Sequence, residues 1–211
     1  MSIFELPRRR GRPPKADAGY SRTREALVRA GVVALTEKGF SATGIEEILD
    51  VASVPKGSFY HYFGSKQAFG AELISRYAEY FASRLDLFLL NQQRSPLDRL
   101  KDFTTAAEAG MERYAFTRGC LVGNLGQEMG ALPEDYRRQL TDVFDDWQRR
   151  TAACLRAGQA AGQVAAHLDC DQLAAFFWIG WEGAVLRAKL ERRGDPLRVF
   201  ADGFFMLLLR N

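Results

Sequence analysis

The chain has few of the residues that most often carry catalysis or metal binding. Of its 211 residues, only two are histidine and three are cysteine. The histidines, His61 and His167, lie far apart, and the cysteines (Cys120, Cys154 and Cys170) are also widely spaced. No Cys/His group therefore has the spacing of a zinc site, and an odd number of distant cysteines argues against a disulfide framework. We expect no metal, no cofactor and a reducing compartment.

Long hydrophobic runs are also absent. Hydrophobic residues make up 47% of the chain, which is enough to form a core. No apolar run approaches the roughly 18–20 residues that a membrane helix needs. Residues 1–20 are basic but lack the apolar centre of a signal peptide. These features predict a soluble cytoplasmic protein without a membrane partner, associated with the nucleoid if it binds DNA.

Positive charge is concentrated at the start of the chain. Residues 1–30 hold eight Lys/Arg against three acidic residues, whereas the rest of the chain, whose total net charge is +3, is slightly acidic. Residues 7–15 read PRRRGRPPK, which predicts a disordered basic arm over residues 1–20. Within it Arg10-Gly11-Arg12-Pro13 resembles an AT-hook, so Arg10 and Arg12 are candidate minor-groove contacts. The alternative is an arm that grips phosphates without reading sequence.

The segment 43–69, TGIEEILDVASVPKGSFYHYFGSKQAF, predicts two short helices joined by a turn. Thr43 and Glu46 have the spacing of a capping box, which marks the first helix start. Pro55 suits the first turn of the second helix. Phe59 and Phe63, four residues apart, would face inward, and Ser65 can cap the helix that follows.

The other side of the second helix carries groups that suit a DNA duplex. Lysine neutralises phosphate, hydroxyl and imidazole groups donate to phosphate oxygens, and glycine allows close approach to the groove wall. The candidate DNA contacts on this helix are Lys56, Gly57, Ser58, Tyr60, His61 and Tyr62. A solvated aromatic helix and a helix that binds a protein partner are the alternatives from spacing alone.

The remaining sequence predicts more helices and no convincing strand. Helix 1 should stop near Gly39, helix 4 should run from Lys66 to about Leu90, and helix-like segments follow. These segments are 97–115, 119–130, 134–161, 169–192 and 196–209. We therefore expect an all-α fold with a helix–turn–helix domain over residues 21–68 and a second helical domain over 69–211.

Segment 119–130, GCLVGNLGQEMG, places four glycines on one predicted helical face. Such a face suits the close approach of another helix or a ligand. Cys120, Asn124 and Gln127 would line the adjacent face. The alternative is tight helix packing with Cys120 as a small buried hydrophobe.

A second candidate pocket lies near the C-terminus. Trp178, Glu182 and Lys189 share a predicted helical face, and Trp181 flanks it. Aromatic rings beside an acid and an amine could hold a small polar ligand. The alternative is that this face packs at an interface, with Glu182 and Lys189 at its solvent-exposed rim.

From residue 21 to about residue 80, and most clearly in VPKGSFYHYFGSKQAF, the chain resembles the DNA-binding domain of TetR-family repressors. The resemblance implies a three-helix head followed by a helical body that binds a ligand and dimerises. It also places the candidate DNA contacts of the second helix at the DNA-contacting positions of that family, and it adds Thr43 and Lys66 to them. A homodimer would fit a palindromic operator, and the apolar stripe of residues 196–209 suits its interface.

Two further segments, FTRGCLVGNLGQEMGALP and FWIGWEGAVLRAKLE, resemble the TetR-family repressors that sense electrophiles or acrylate. The resemblance implies that Cys120 is a reactive sensor and that Lys189 is its neighbour. A cationic neighbour would lower the thiol pKa. The inducer is then acrylate or a related unsaturated carbonyl compound, bound reversibly or as a covalent adduct, or else an oxidant. A cysteine-dependent enzyme and an architectural DNA binder are the competing classes; no histidine accompanies Cys120 in a catalytic motif.

Overall fold

The computed structural model describes residues 16–208, and the regular secondary structure of this part of the chain is entirely helical. Its helices are α1 (Ala16–Lys38), α2 (Ile45–Ala52), α3 (Lys56–Phe63), α4 (Lys66–Leu89), α5 (Pro96–Glu112), α6 (Leu121–Gln127), α7 (Glu134–Ala160), α8 (Cys170–Glu191) and α9 (Asp195–Leu208). The predicted all-α fold is therefore confirmed. No helix in the described range is long and apolar enough to cross a membrane.

Local signals account for most helix ends. Gly39 follows α1 with φ +81°, a backbone conformation that favours glycine. The Ser65 hydroxyl accepts the Ala68 N–H at 3.0 Å and caps α4 as predicted. The predicted capping box is wrong, because Gly44 is the N-cap of α2 and no side chain caps it. Thr43 instead donates its hydroxyl to the Gly39 carbonyl at 2.6 Å.

Helices α1–α3 and the start of α4 form the head around an aromatic core. Phe59 is fully buried, and its ring lies 5.0 Å from that of Phe69, centroid to centroid. Phe69 also packs against Gly31, where a side chain would overlap it. The predicted domain boundary at residues 68/69 falls inside α4, so this helix belongs to both head and body.

Helices α5, α7, α8 and α9 form the body together with the rest of α4. Its centre is aromatic: the Trp147 ring lies 4.3 Å from Phe81 and 4.8 Å from Trp178. Such offset ring pairs bury large apolar areas and fix the helices against each other. Helix α6 crosses between body and head and is shorter than the predicted segment 119–130.

Candidate DNA-reading surface and sensor cavity

Helix α3 presents one buried and one accessible side, as its spacing predicts. Phe59 and Phe63 are buried in the head. Lys56, Tyr60 and His61 are exposed, Gly57 is exposed between them, and Ser58 and Tyr62 are partly buried. The accessible side therefore gathers a cation, hydroxyls and an imidazole on one helix, the groups that contact phosphates and base edges.

Lys56 is held by an acidic neighbour. Its amine lies 2.7 Å from the Glu46 carboxylate, and both side chains are well exposed. The hydrogen bond and the charge of Lys56 lower the pKa of Glu46. An exposed pair of this kind is weak, so a phosphate can replace Glu46 as the partner of Lys56.

Two other candidate DNA contacts, Thr43 and Lys66, lie outside the accessible side of α3. The Thr43 side chain is 1% exposed, so its hydroxyl does not reach the surface that α3 presents. The Lys66 amine donates to the Phe40 carbonyl at 2.9 Å and lies 4.5 Å from the centre of the Phe40 ring. Partial burial lowers the pKa of Lys66. Both residues shape the turn between α1 and α2. Arg10 and Arg12 lie outside the described residues.

A cavity of about 490 Å³ lies between α1, α4, α5 and α8, and α6 starts at its inner end. Of the predicted ligand residues, Cys120, Trp181 and Glu182 line it. The other four do not: Asn124, Gln127 and Lys189 border a narrow cleft behind Cys120, and Trp178 is buried and donates its indole N–H to Thr151 at 3.0 Å.

Cys120 is the N-cap of α6. Its sulfur accepts the Gly123 N–H at 3.4 Å, and the side chain is buried. Burial and the nearby Glu182 carboxyl raise the pKa of this thiol well above its ordinary value. The prediction that a cation lowers the thiol pKa is therefore wrong for this structure, because the neighbour of Cys120 is an acid.

Glu182 and Tyr77 complete the polar end of the cavity. Both line the cavity beside Cys120, close enough to influence the pKa of its thiol. Burial raises the pKa of Glu182 to about 7 and that of Tyr77 well above its usual value. Glu182 is partly buried and lines both the cavity and the narrow cleft behind Cys120. Near neutral pH this carboxyl can therefore hold or accept a proton.

The predicted glycine face is only partly present. Gly123 lies against Glu182, and a side chain at this position would overlap the carboxylate. Gly126 and Gly130 have open space around them, and Gly119 and Gly130 lie outside α6. Close approach therefore explains Gly123 rather than the whole glycine series.

Lys189 and Asn124 bind the end of α1. The Lys189 amine donates to the Thr36 carbonyl at 3.2 Å. The Asn124 amide donates to the carbonyls of Leu35 and Thr36 at 2.8 and 3.0 Å. The last carbonyls of a helix lack the usual partners, and these two side chains help to satisfy them at the end of α1, together with the backbone N–H groups of Gly39 and Gly119. Their position makes them structural links between body and head.

Glu128, just after α6, is a residue that sequence reasoning missed. Its two carboxylate oxygens accept the Phe40 N–H at 3.0 Å and the Ser41 N–H at 2.8 Å. No local pattern could have indicated this contact, because the partners are 88 and 87 residues away. Helix α6 thus connects Cys120 at one end to the turn between α1 and α2 at the other.

Three arginines that line the cavity were also missed. Arg29 comes from α1, Arg84 from α4 and Arg118 from the segment before α6. Arg118 pairs with Glu37 at 2.9 Å, whereas Arg29 and Arg84 form no ion pair within the described residues. Glu182 is the one carboxyl among the lining residues. The cavity is therefore apolar with a cationic bias.

A helix–turn–helix head joined to a helical body that contains a cavity defines a ligand-responsive class of DNA-binding regulator. Family models agree with this assignment. Residues 27–73 match the bacterial regulatory proteins of the tetR family, and residues 96–204 match the tetracycline repressor-like C-terminal domain. The chain belongs to the TetR family, and it is a transcriptional repressor rather than an enzyme.

Individual relatives extend the likeness over almost the whole chain. The transcriptional regulator AcuR of Cereibacter sphaeroides is 57% identical over 96% of this chain and 92% of its own length. The transcriptional repressor NemR of Escherichia coli is 33% identical over 83% of this chain and 88% of its own. A crystal structure of regulatory protein TetR from Rhodobacter sphaeroides superposes with a TM-score of 0.87 at 56% identity, covering 88% of this chain and 98% of that one.

Proposed function

We propose that this repressor binds a palindromic operator as a homodimer and is released when an α,β-unsaturated carbonyl compound, acrylate or a related electrophile, enters the cavity beside Cys120. The observation that carries the proposal is the position of Cys120. Its sulfur lines the cavity and also caps α6, the helix that leads to Glu128 and the head. A change at this sulfur therefore acts on the link to the head.

Helix α3 is the recognition helix in this proposal. Lys56, Ser58, Tyr60, His61 and Tyr62 supply the contacts to phosphates and base edges, and Gly57 allows close approach. The basic arm, through Arg10 and Arg12, adds contacts in the adjacent minor groove. Two heads in a dimer would meet half-sites about one helical turn apart.

The dimer interface is assigned to α8 and α9. Large apolar side chains on these helices remain exposed, including Phe176, Ile179, Val199 and Met206. Monomeric proteins rarely expose so large an apolar surface. Pairing these two helices with their copies would cover it in a four-helix interface.

The chemistry at Cys120 is a conjugate addition. The sulfur bonds to the β-carbon of the unsaturated carbonyl compound, the carbon–carbon double bond becomes single, and the thiol proton passes through Glu182 to the α-carbon. Thiolate is the reacting form, and here burial makes it scarce, so a nearby carboxyl that accepts the proton assists the step. Acrylate could instead bind reversibly through its carboxylate, without an adduct.

Release follows from the contacts of α6. A group attached to the sulfur would weaken its hydrogen bond to the Gly123 N–H and displace the first turn of α6. The displacement reaches α1 through Asn124 and reaches the α1–α2 turn through Glu128. The two heads would then no longer match the spacing of the half-sites.

The test is a gel shift on the DNA upstream of the gene, titrated with acrylate and with a stronger electrophile, alongside intact mass. Release with one adduct, at Cys120, supports covalent sensing; release without a mass change supports reversible binding. Addition of oxygen at Cys120 by an oxidant, with release, would favour redox sensing. Cys120→Ser keeps a capping group without a thiol, so covalent sensing is excluded if this variant still releases DNA normally.

A further inference from the structure

The cavity is larger than acrylate requires. At the roughly 30 Å³ that a water molecule occupies in the liquid, the five non-hydrogen atoms of acrylate fill about 150 Å³. The cavity measures about 490 Å³. A ligand of roughly 16 non-hydrogen atoms would fill it by the same measure.

The lining divides into an inner and an outer end. Tyr77, Phe103, Cys120 and Trp181 are buried, so the thiol lies at the inner end. Tyr80 and Tyr114 are exposed by 61% and 44%, so they mark the opening. An entering molecule therefore reaches the thiol with its leading end, and its trailing end stays near the opening.

Arginine side chains lie on the outer part of this lining. Arg84 is seven residues after Tyr77 on α4, about 10 Å along the helix axis and on the same face. Its guanidinium lies over the Phe88 ring, 5.3 Å from the ring centre, which directs it away from Tyr77 and Cys120. Arg29 of α1 is exposed and lines the same cavity. As neither arginine has an acidic partner in residues 22–208, both can bind an anion.

Acrylate is too short to contact Cys120 and Arg84 at the same time. Its carboxylate carbon lies only about 2.5 Å from its β-carbon, at about 1.5 Å per bond. A carboxylate held at Arg84 would therefore leave the β-carbon several ångströms from the sulfur. Because Arg84 lies about 10 Å along α4 from Tyr77, which lines the cavity beside Cys120, a molecule that reaches both ends must be longer than acrylate.

Building on the proposed function, we propose that the cavity takes a two-ended electrophile of about 12–16 non-hydrogen atoms. Its unsaturated carbonyl lies at Cys120, its apolar middle packs on Phe81, Phe103 and Trp181, and an anionic group at its far end binds Arg84 with help from Arg29. Acrylate and other short electrophiles are weaker members of the same ligand class because they leave the anion subsite empty.

The test uses N-carboxyalkyl maleimides of increasing length on the full-length protein. The reactive carbon of 6-maleimidohexanoate lies about 10 Å from its carboxylate, against about 5 Å in maleimidoacetate, at about 1.2 Å of advance per bond. Each acid is compared with its uncharged methyl ester. The rate of adduct formation at Cys120 is followed by intact mass and peptide mapping in wild type and in Arg84→Gln.

We expect the longer acid to modify wild-type Cys120 at least ten times faster than its ester does, and the short acid to show no such advantage. Arg84→Gln should remove the advantage of the long acid and leave the ester rate unchanged; the unchanged ester rate shows that the cavity is intact. Arg138→Gln, at an exposed arginine near the start of α7 that does not line the cavity, is the matched control and should behave as wild type. Equal rates for acid and ester in wild type, or an equal loss of both rates in Arg84→Gln, would overturn the proposal.

Reversible binding separates this inference from the covalent function. The saturated analogue 6-succinimidohexanoate cannot react with the thiol, and its affinity is measured by calorimetry. Binding that weakens about tenfold in Arg84→Gln supports the anion subsite even if no maleimide modifies Cys120. Failure of adduct formation alone would contradict covalent sensing, whereas equal binding to wild type and Arg84→Gln would contradict the subsite.

Discussion

The Glu128 carboxylate accepts the Ser41 backbone N–H at 2.8 Å, although the two residues are 87 positions apart. The other carboxylate oxygen accepts the Phe40 N–H at 3.0 Å. Gly39 makes this contact possible, because any side chain there would overlap the carboxylate. The end of α6 is thereby tied to the turn that leads into the DNA-reading helices.

Replacing Glu128 with alanine should loosen the head. Hydrogen bonds to a charged group contribute about 1.5–3 kcal/mol when well formed, and less where solvent reaches them. We expect Glu128→Ala to lower the free energy of unfolding by about 1–3 kcal/mol, weaken operator binding and reduce release by the inducer. Urea unfolding and gel shifts measure these effects, with the exposed Glu112→Ala as control. Unchanged operator affinity together with a full inducer response would show that α6 does not control the head through this contact.

Stability should depend on pH through Glu182. Burial raises its pKa from 4.5 to about 7, so between these values the folded protein holds a proton that the unfolded chain has released. Stability therefore falls as pH rises from about 4.5 to about 7, by about 3 kcal/mol in total. Glu182→Gln lacks this ionisation and should be more stable than wild type at pH 8 by up to that amount, with little difference at pH 4.5. Urea unfolding at both pH values tests this; a difference that does not change with pH would refute it.

The glycines of α6 should respond differently to alanine. Gly126 has open space around it, so Gly126→Ala should stabilise the protein by about 0.5–1 kcal/mol through helix propensity. Gly123→Ala should not, because its methyl group would push the Glu182 carboxyl away from Cys120. Thermal unfolding and the rate of Cys120 modification by a maleimide measure both effects. The same gain in stability at both positions, with no change in thiol reactivity, would contradict this account.

The salt dependence of operator binding should separate Lys56 from Lys66. Lys56 is proposed to neutralise a phosphate, so Lys56→Gln should reduce the slope of log K against log salt by about 1. Lys66 holds the Phe40 carbonyl instead. Lys66→Gln should therefore weaken binding while leaving the slope unchanged. Binding titrations at several salt concentrations measure both slopes. A reduced slope for Lys66→Gln would show that Lys66 contacts a phosphate directly.

The proposed dimer predicts that a charge on α8 disrupts association. Ile179 is 76% exposed in the single chain, within the apolar surface of α8 and α9. Ile179→Glu should raise the dimer dissociation constant at least a hundredfold, because a buried unpaired carboxylate is costly. Sedimentation velocity measures the association state, with Leu87→Glu, at an exposed position on α4, as the control. Dimerisation that is unaffected by Ile179→Glu would place the interface elsewhere.

Sequence reasoning predicted the helices well and the side-chain partners poorly. The limits of α4 and the buried Phe59 and Phe63 followed from caps and periodicity. Thr43 was placed wrongly because its spacing to Glu46 fits a capping box, whereas the turn at Gly39 offered its hydroxyl a closer carbonyl. Lys189 borders the same narrow cleft as Cys120, but its amine donates to the Thr36 carbonyl at the end of α1, which no local pattern indicates.

By itself, the sequence determined the all-helical fold, the recognition-helix motif and the presence of Cys120 in a distinctive segment. Short-range rules suffice for these features, because helix starts, stops and faces depend on residues a few positions apart. Only the tertiary structure decided that Glu182, Tyr77 and Cys120 meet at the end of one cavity, that Arg84 lines its outer part, and that Glu128 holds the head. These contacts join residues distant in the chain, and their energies depend on burial and on the partners that folding supplies.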